Sequence, residues 1–200
     1  YTKKSKKKVL TSKITTTVQT TTTQQVSIAN ETAVSTTSSG TSVSQATAAA
    51  SSSQNQSKYE ANVASVAGKM DNRVIAAYQQ LGFKIVVDPS VNYSGYFDAR
   101  SRSITMKQID DSVYHELGHF LAFIAGNVDK TASFQSIFAA EKANVTAFNK
   151  AYVTQNASEY FAESVKDYIL NNASLKSTRP QTYAAVQNAL NQITDAQIAK

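Results

Sequence analysis

The nine residues from 113 to 121 read VYHELGHFL, and the interpretation of the whole chain starts from them. His115 and His119 are four positions apart, a spacing that places two side chains one above the other on one face of an α-helix. They are the only two histidines in the 200 residues of the chain. Two imidazoles that face one point form half of a metal site, and Glu116 lies beside the first of them.

The sequence around these histidines is typical of an α-helix. Asp110, Asp111 and Ser112 can cap its first turn, where negative charge is favourable to the helix dipole. The pair Gly126-Asn127 is a signal for its C-terminal end. Apolar residues recur behind the histidines at helical spacing, namely Val113, Leu117, Phe120, Leu121 and Ile124. The pattern predicts a helix with one buried face and both histidines turned towards a cleft.

A catalytic zinc ion takes three protein ligands and leaves one position open for water. In the pattern His-Glu-x-x-His, the glutamate stands where a water activated by the metal needs a proton acceptor. Glu116 is therefore the predicted general base, and His115 and His119 are two predicted zinc ligands. The motif predicts a zinc-dependent peptidase. The alternative interpretation is a helix that carries two incidental histidines on its surface.

The third ligand must come from another part of the chain. No histidine follows His119, so a carboxylate is required. The segment 158–168 offers Glu159 and Glu163, which are four positions apart and share one helix face. One of them can bind the metal while the other accepts a hydrogen bond from the second nitrogen of a ligating imidazole. The rest of this helix is largely apolar, which argues against a solvated acidic face.

The composition of the chain excludes several kinds of site. Because there is no cysteine, disulfides, cysteine-ligated zinc and a thiol nucleophile are ruled out. No run of about eighteen apolar residues occurs, so no membrane span is expected. Missing too are an initiator methionine and an apolar signal core at the start, which predicts a mature or truncated chain.

The basic charge of the chain is concentrated at its beginning. The net charge is +6, and the basic residues that produce this excess are Lys3, Lys4, Lys6, Lys7, Lys8 and Lys13. Such an arm is expected to be solvated, with weak affinity for cell-wall polymers or another anionic surface. No nucleic-acid partner is expected.

The first 57 residues are dominated by Ser, Thr, Gln and Ala, and no aromatic residue occurs between Tyr1 and Tyr59. A segment of this kind buries too little apolar surface to offset the entropy of ordering it. Residues 1–57 are therefore predicted to be a disordered stalk or linker, and residues 58–200 a single folded domain. The alternative for 14–28 is an extended strand, because Thr and Val alternate there.

The pattern of the remaining chain mixes helices and strands. A substrate peptide can be bound by main-chain hydrogen bonds along an edge strand, and the strand just before the metal helix is the candidate. Its residues are Ser103, Ile104, Thr105 and Met106; the alternative is an ordinary core hairpin. The predicted helices are 59–81, 134–148, 157–170 and 180–193, and the predicted strands are 83–88, 95–99 and 103–107.

The motif pair HELGH at 115–119 and EYFAE at 159–163 resembles that of the anthrax lethal factor-type metallopeptidases, which include secreted Pro-Pro endopeptidases. The resemblance covers roughly residues 96–170 and implies that Glu159 is the third zinc ligand. Glu163 would then support a ligating histidine rather than bind the metal.

The same resemblance implies a role for Tyr152, which stands seven residues before Glu159. A tyrosine at this spacing polarises the scissile carbonyl in the family. Its phenol could donate a hydrogen bond to the developing oxyanion. Tyr160 is the rival for this role, although it is adjacent to the ligand and points elsewhere on the helix.

The resemblance implies an α+β fold of the zincin type, within the gluzincins. A small mixed sheet would pack on the active-site helix and on a helical C-terminal half, preceded by the disordered Ser/Thr-rich segment. The implied function is that of a secreted or cell-surface zinc endopeptidase, with one Zn²⁺ per chain, that acts as a monomer on an extended peptide or protein.

Two alternatives to this function stay open. The first is a non-catalytic cell-surface binding or toxin-associated module that retains the fold. The second is a wall-binding or adhesive stalk, in which the basic Ser/Thr-rich arm is the functional part and the metal motif is incidental.

Overall fold

A computed structural model of the chain describes residues 57–194. The basic arm, the alternative strand at 14–28 and the predicted disordered segment up to residue 56 lie outside these residues. The division into 1–57 and 58–200 stays a prediction. Every helix within the described range is too short or too polar to cross a lipid bilayer.

The described residues form an α+β fold with a small mixed sheet and a majority of helices. The strands are β1 (Tyr59–Ala61), β2 (Lys84–Val87), β3 (Gly95–Asp98) and β4 (Ser103–Met106). The α-helices are α1 (Val63–Val66), α2 (Asn72–Gln80), α3 (Ser112–Ile124), α4 (Ala132–Glu141), α5 (Lys150–Val153), α6 (Ala157–Leu170), α7 (Asn172–Thr178) and α8 (Pro180–Asn191). Short 3-10 helices occupy Val128–Lys130 and Lys142–Asn144.

The single helix predicted for 59–81 is wrong. The segment instead forms β1, α1 and α2, because two polar residues begin new helices within it. The side chain of Asn62 accepts hydrogen bonds from the backbone at the start of α1, and the side chain of Asp71 does the same at the start of α2. β1 is held by antiparallel pairing with β2, with Glu60 opposite Val86. Tertiary pairing has outweighed the helical periodicity of this stretch.

The order of strands in the sheet is β1-β2-β4-β3, so β4 is an inner strand. It pairs in parallel with β2 and antiparallel with β3, and Ile104 and Met106 are fully buried. The prediction that Ser103–Met106 binds substrate along its backbone is therefore wrong, because both edges of β4 are already hydrogen-bonded. Its alternative, a core hairpin, describes β3 and β4. Within residues 57–194, the free edge of the sheet on this side belongs to β3.

The apolar face of α3 is fixed against the sheet and α2 by aromatic contacts. The ring of Phe120 lies edge-on to Tyr78 and to Phe83, with ring centroids 5.0 Å and 4.9 Å away. Phe83 in turn stacks on Phe97 of β3 at 5.9 Å. Burial of this face turns the opposite face of α3, which carries the histidines, towards α6.

The helices α3 and α6 approach each other closely at Gly118. A Cβ atom at this position would lie 2.7 Å from the Cα atom of Ala162 and 2.7 Å from its carbonyl oxygen. Backbone atoms cannot move aside as a flexible side chain can. Gly118 therefore allows the close contact that brings the histidines of α3 next to the glutamates of α6.

Gly118→Ala is expected to lower the free energy of unfolding. Overpacking a core costs about 1–3 kcal/mol, more than the ~1 kcal/mol that alanine gains over glycine in helix propensity. Urea denaturation measures the change. Gly68→Ala is the control, because a Cβ there would make only an ordinary contact, 3.5 Å from the Ala64 carbonyl oxygen. If Gly118→Ala were as stable as the control variant, the close helix contact would be contradicted.

Candidate metal centre

The two histidines lie together on one face of α3. The centroids of the His115 and His119 rings are 5.0 Å apart, and the His115 side chain is 9% exposed. Helix α6 packs across this face and presents Glu159 to both rings. The Oε2 atom of Glu159 is 3.1 Å from Nε2 of His115 and 3.6 Å from Nε2 of His119. Ligand atoms of these three residues all lie within 4.8 Å of one another.

The donor set fits a divalent metal ion. Two imidazole nitrogens and one carboxylate oxygen are ligands that zinc accepts in catalytic sites, where a fourth position stays open. The same carboxylate oxygen faces the Nε2 atoms of both rings, so the three donors share one meeting point. The structure thus brings Glu159 next to both histidines, and its role as the third metal ligand stays a prediction.

Glu163 holds the far side of the first histidine. Its Oε2 atom lies 2.9 Å from Nδ1 of His115, and the Glu163 side chain is only 7% exposed. A hydrogen bond at Nδ1 fixes the orientation of the ring and leaves Nε2 free to face Glu159. Lys166 donates to the other oxygen of Glu163, Oε1, at 3.2 Å.

Helix α6 is itself held firmly at the position that carries Glu159. The side chain of Asn156 accepts a hydrogen bond from the Glu159 backbone at 2.9 Å and so caps the helix. Tyr160 is fully buried, and its hydroxyl is 2.7 Å from Oγ1 of Thr182 on α8. Thr182 also donates to the buried carboxylate of Glu141. Tyr160 therefore anchors the helix, and its hydroxyl is committed away from the metal donors.

Two cavities adjoin the three donors. The larger, about 330 Å³, is lined by Tyr93, Ser94, Gly95, Ser112, His115, Glu116, Asn149, Tyr152, Glu163 and Lys166. The smaller, about 160 Å³, is lined by Gly95, Tyr96, Phe97, Glu116, His119, Tyr152 and Glu159. Glu116 and Tyr152 border both, whereas no residue of β4 lines either. The predicted base and the predicted oxyanion donor thus share a cleft with the metal donors.

Burial and pairing set the protonation of the donors. Burial lowers the pKa of His115, but hydrogen bonds to Glu159 and Glu163 outweigh this and raise the pKa to about 9. Burial also raises the pKa of Glu159, and hydrogen bonds from His115 and His119 reverse the effect, so that this pKa lies well below its ordinary value. Because a metal binds neutral imidazole, binding would release the proton that these carboxylates hold on His115.

Glu116 and Tyr152 both have raised pKa values. For Glu116 the main cause is burial, which the charges of the two neighbouring histidines offset only in part. For Tyr152, burial and the charge of Glu159 raise the pKa to about 12. The phenol therefore stays protonated at neutral pH and can donate a hydrogen bond into the cleft.

Part of the chain is similar to known proteins. The family model described as "Anthrax toxin lethal factor, N- and C-terminal domain" matches residues 98–189. A Pro-Pro endopeptidase of Clostridioides difficile (strain 630) is 41% identical over 78 residues. The resemblance to the lethal factor and Pro-Pro endopeptidase family is confirmed. The aligned part is 37% of this chain and 34% of the relative, so the chain spans about a third of that protein's length.

Sequence reasoning assigned no role to two residues that lie beside the site, Lys166 and Gly95. Lys166 carries a usable signal, because it stands three positions after Glu163 on the same helix. Gly95 carries no such signal. A Cβ atom there would meet the side chain of Glu116, and this contact depends on how β3 packs against α3.

Proposed function

We propose that this chain is a zinc-dependent endopeptidase with a zincin-type, gluzincin fold. The proposal depends above all on one observation: His115, His119 and Glu159 converge beside the buried carboxyl group of Glu116 in an accessible cleft. The resemblance to lethal factor-type proteins supports it. An extracellular location is part of the proposal. It is supported by the resemblance to Pro-Pro endopeptidases and by the Ser/Thr-rich leader, together with the absence of cysteine.

His115, His119 and Glu159 would hold the zinc ion, which when bound supplies a Lewis acid that acidifies water and polarises a peptide carbonyl. Glu116 takes the proton of the attacking water and then delivers it to the leaving amine. Burial favours this role, because a desolvated carboxylate is a stronger base than an exposed one. Glu163 keeps the His115 ring in the orientation that presents Nε2 to the metal.

The free edge of β3 is the proposed binding site for the substrate backbone. An extended peptide can add to an exposed sheet edge through main-chain hydrogen bonds. Gly95, Tyr96 and Phe97 of β3 line the smaller cavity beside Glu159. The peptide would therefore lie across the cleft between β3 and Tyr152, and β3 takes the role first expected of β4.

The side chains along the cleft indicate which peptides to test first. Tyr93 and Tyr96 lie with ring centroids 5.9 Å apart on the β3 side, and Tyr152 lies on the α5 side. Such rings provide flat apolar surfaces. The name of the relative makes a Pro-Pro bond the first candidate substrate for this chain.

Cleavage of a proteome-derived peptide mixture tests the proposed function. The zinc-loaded chain is expected to cut the mixture at a defined set of bonds, and a chelator is expected to stop it. Peptides with Pro-Pro and matched Pro-Ala and Ala-Pro pairs then test the candidate bond. If the zinc-loaded chain binds peptides but cuts none, the endopeptidase proposal is wrong and the non-catalytic module takes its place.

Tyr152→Phe is expected to lower kcat about 100-fold, since loss of one oxyanion donor usually costs about that much. The ring and its packing remain, so KM and zinc content should change little. Steady-state kinetics on a cleaved peptide give the two constants separately. Tyr59→Phe is the matched control, because Tyr59 is an exposed tyrosine of β1 that lines neither cavity. Unchanged kcat in Tyr152→Phe would remove Tyr152 from the mechanism.

A further inference from the structure

Three residues line both cavities of the cleft: Gly95, Glu116 and Tyr152. Residues common to two adjoining cavities lie at the boundary between them. Two of these three already have chemical roles in the proposed function. Gly95, the first residue of β3, has none.

Gly95 is in direct contact with the side chain of Glu116. A Cβ atom at Gly95 would lie 2.7 Å from Cγ and 2.7 Å from Oε1 of Glu116. Carbon atoms not bonded to each other prefer separations of about 3.5–4.0 Å. The carboxyl group of Glu116 thus occupies the space that any other residue at position 95 would fill with its own side chain.

The obstacle to a side chain at position 95 is this contact and not the backbone conformation. Among the described glycines, a positive φ is found only at Gly82 and Gly126. Alanine could therefore adopt the backbone of Gly95. What it could not do is leave Glu116 where it lies.

The Glu116 side chain is the part that would move. Gly95 is held in the sheet by pairing with Met106 of β4, and the backbone of Glu116 lies in the buried middle of α3. Rotation of a carboxyl-bearing side chain costs less than displacing either element. The carboxyl group would therefore turn away from its place beside β3.

We propose that Gly95 is a positioning residue for the general base: the missing side chain at the start of β3 creates the space in which the Glu116 carboxyl group faces the cleft. This inference rests on the proposed function. The inference gives β3 a second role. The strand that would bind the peptide also leaves room for the general base beside that peptide.

Gly95→Ala tests the inference on the full, zinc-loaded chain. A misplacement of about 1 Å in a reacting group can cost about 100-fold in rate, and a loss of that order is expected in kcat. Zinc content should stay at the wild-type level, because Glu116 is not among the three metal donors. Gly68→Ala is the matched control and should keep wild-type kcat, since a Cβ there meets only the Ala64 carbonyl oxygen at an ordinary 3.5 Å.

A second pair of variants separates base positioning from obstruction of the substrate. Glu116→Ala removes every side-chain atom with which the new Cβ would collide. In that background, adding Gly95→Ala should change the Kd for an uncut peptide by no more than about twofold, because the two positions would then act independently. The collision with Glu116 should also lower the melting temperature when Gly95→Ala is added to the wild type. It should not do so in the Glu116→Ala chain, where the colliding atoms are absent.

The outcomes are distinct. A wild-type chain that cleaves peptides, together with an equally active Gly95→Ala chain, overturns this inference alone. A loss of peptide affinity in the Glu116→Ala background as large as the loss of kcat also overturns it, because Gly95 would then act on the substrate and not on the base. If the wild-type chain cleaves nothing, the proposed function falls, and the inference with it.

Discussion

Replacing Glu116 with glutamine is expected to abolish measurable turnover while zinc stays bound. Glutamine keeps the shape of the side chain but cannot accept the proton of the attacking water. General acid–base catalysis typically contributes about 10²–10⁴-fold, and the whole of that factor should be lost from kcat. The measurement is kcat on a cleaved peptide, with metal content determined on the same preparation.

Glu60→Gln is the control for this substitution. Glu60 is an exposed glutamate of β1 whose carboxylate pairs with Lys84, remote from both cavities of the cleft. Its replacement should leave kcat unchanged. Proteolysis retained by Glu116→Gln at the level of this control would refute the assignment of the base.

Replacing His119 with alanine is expected to release the metal. The substitution deletes one of three donors, and a carboxylate and one imidazole are left to hold the ion. The affinity for zinc should therefore fall by more than the ~10–100-fold that loss of an outer hydrogen-bond partner costs. Titration against a chelator of known affinity measures the Kd for zinc in each variant.

Glu163→Gln provides the comparison for His119→Ala. Glu163 touches His115 at Nδ1, on the side away from the common meeting point of the donors. Its replacement should weaken zinc binding, but by less than the loss of His119. A His119→Ala chain that keeps stoichiometric zinc against the same chelator would contradict the set of three donors.

The helix that carries both histidines could be predicted from sequence because its signals are local. Caps, the apolar stripe and the spacing of His115 and His119 all act within a few turns of one helix, and α3 runs over Ser112–Ile124 as expected. The helix predicted for 157–170 is likewise α6. Local patterns therefore gave the two helices, and the family resemblance gave the particular pairing of His115 and His119 with Glu159.

The features that failed depend on contacts between distant segments. Residues 59–61 precede a stretch with helical spacing of apolar residues, but they pair with β2 and form an edge strand. Periodicity does not state the order of strands in a sheet, so it cannot show that β4 lies between β2 and β3 and that β3 is the edge strand. The role of Gly95 likewise depends on the packing of β3 against α3, which places position 95 beside the side chain of Glu116.

The position of the metal in a crystal of the chain grown with zinc tests the proposed set of three ligands. Anomalous scattering at the zinc edge locates the ion independently of any assumption about the ligands. We expect one strong peak per chain, between the Nε2 atoms of His115 and His119 and the carboxylate of Glu159. A peak elsewhere, or the absence of a peak between these three groups, would contradict it.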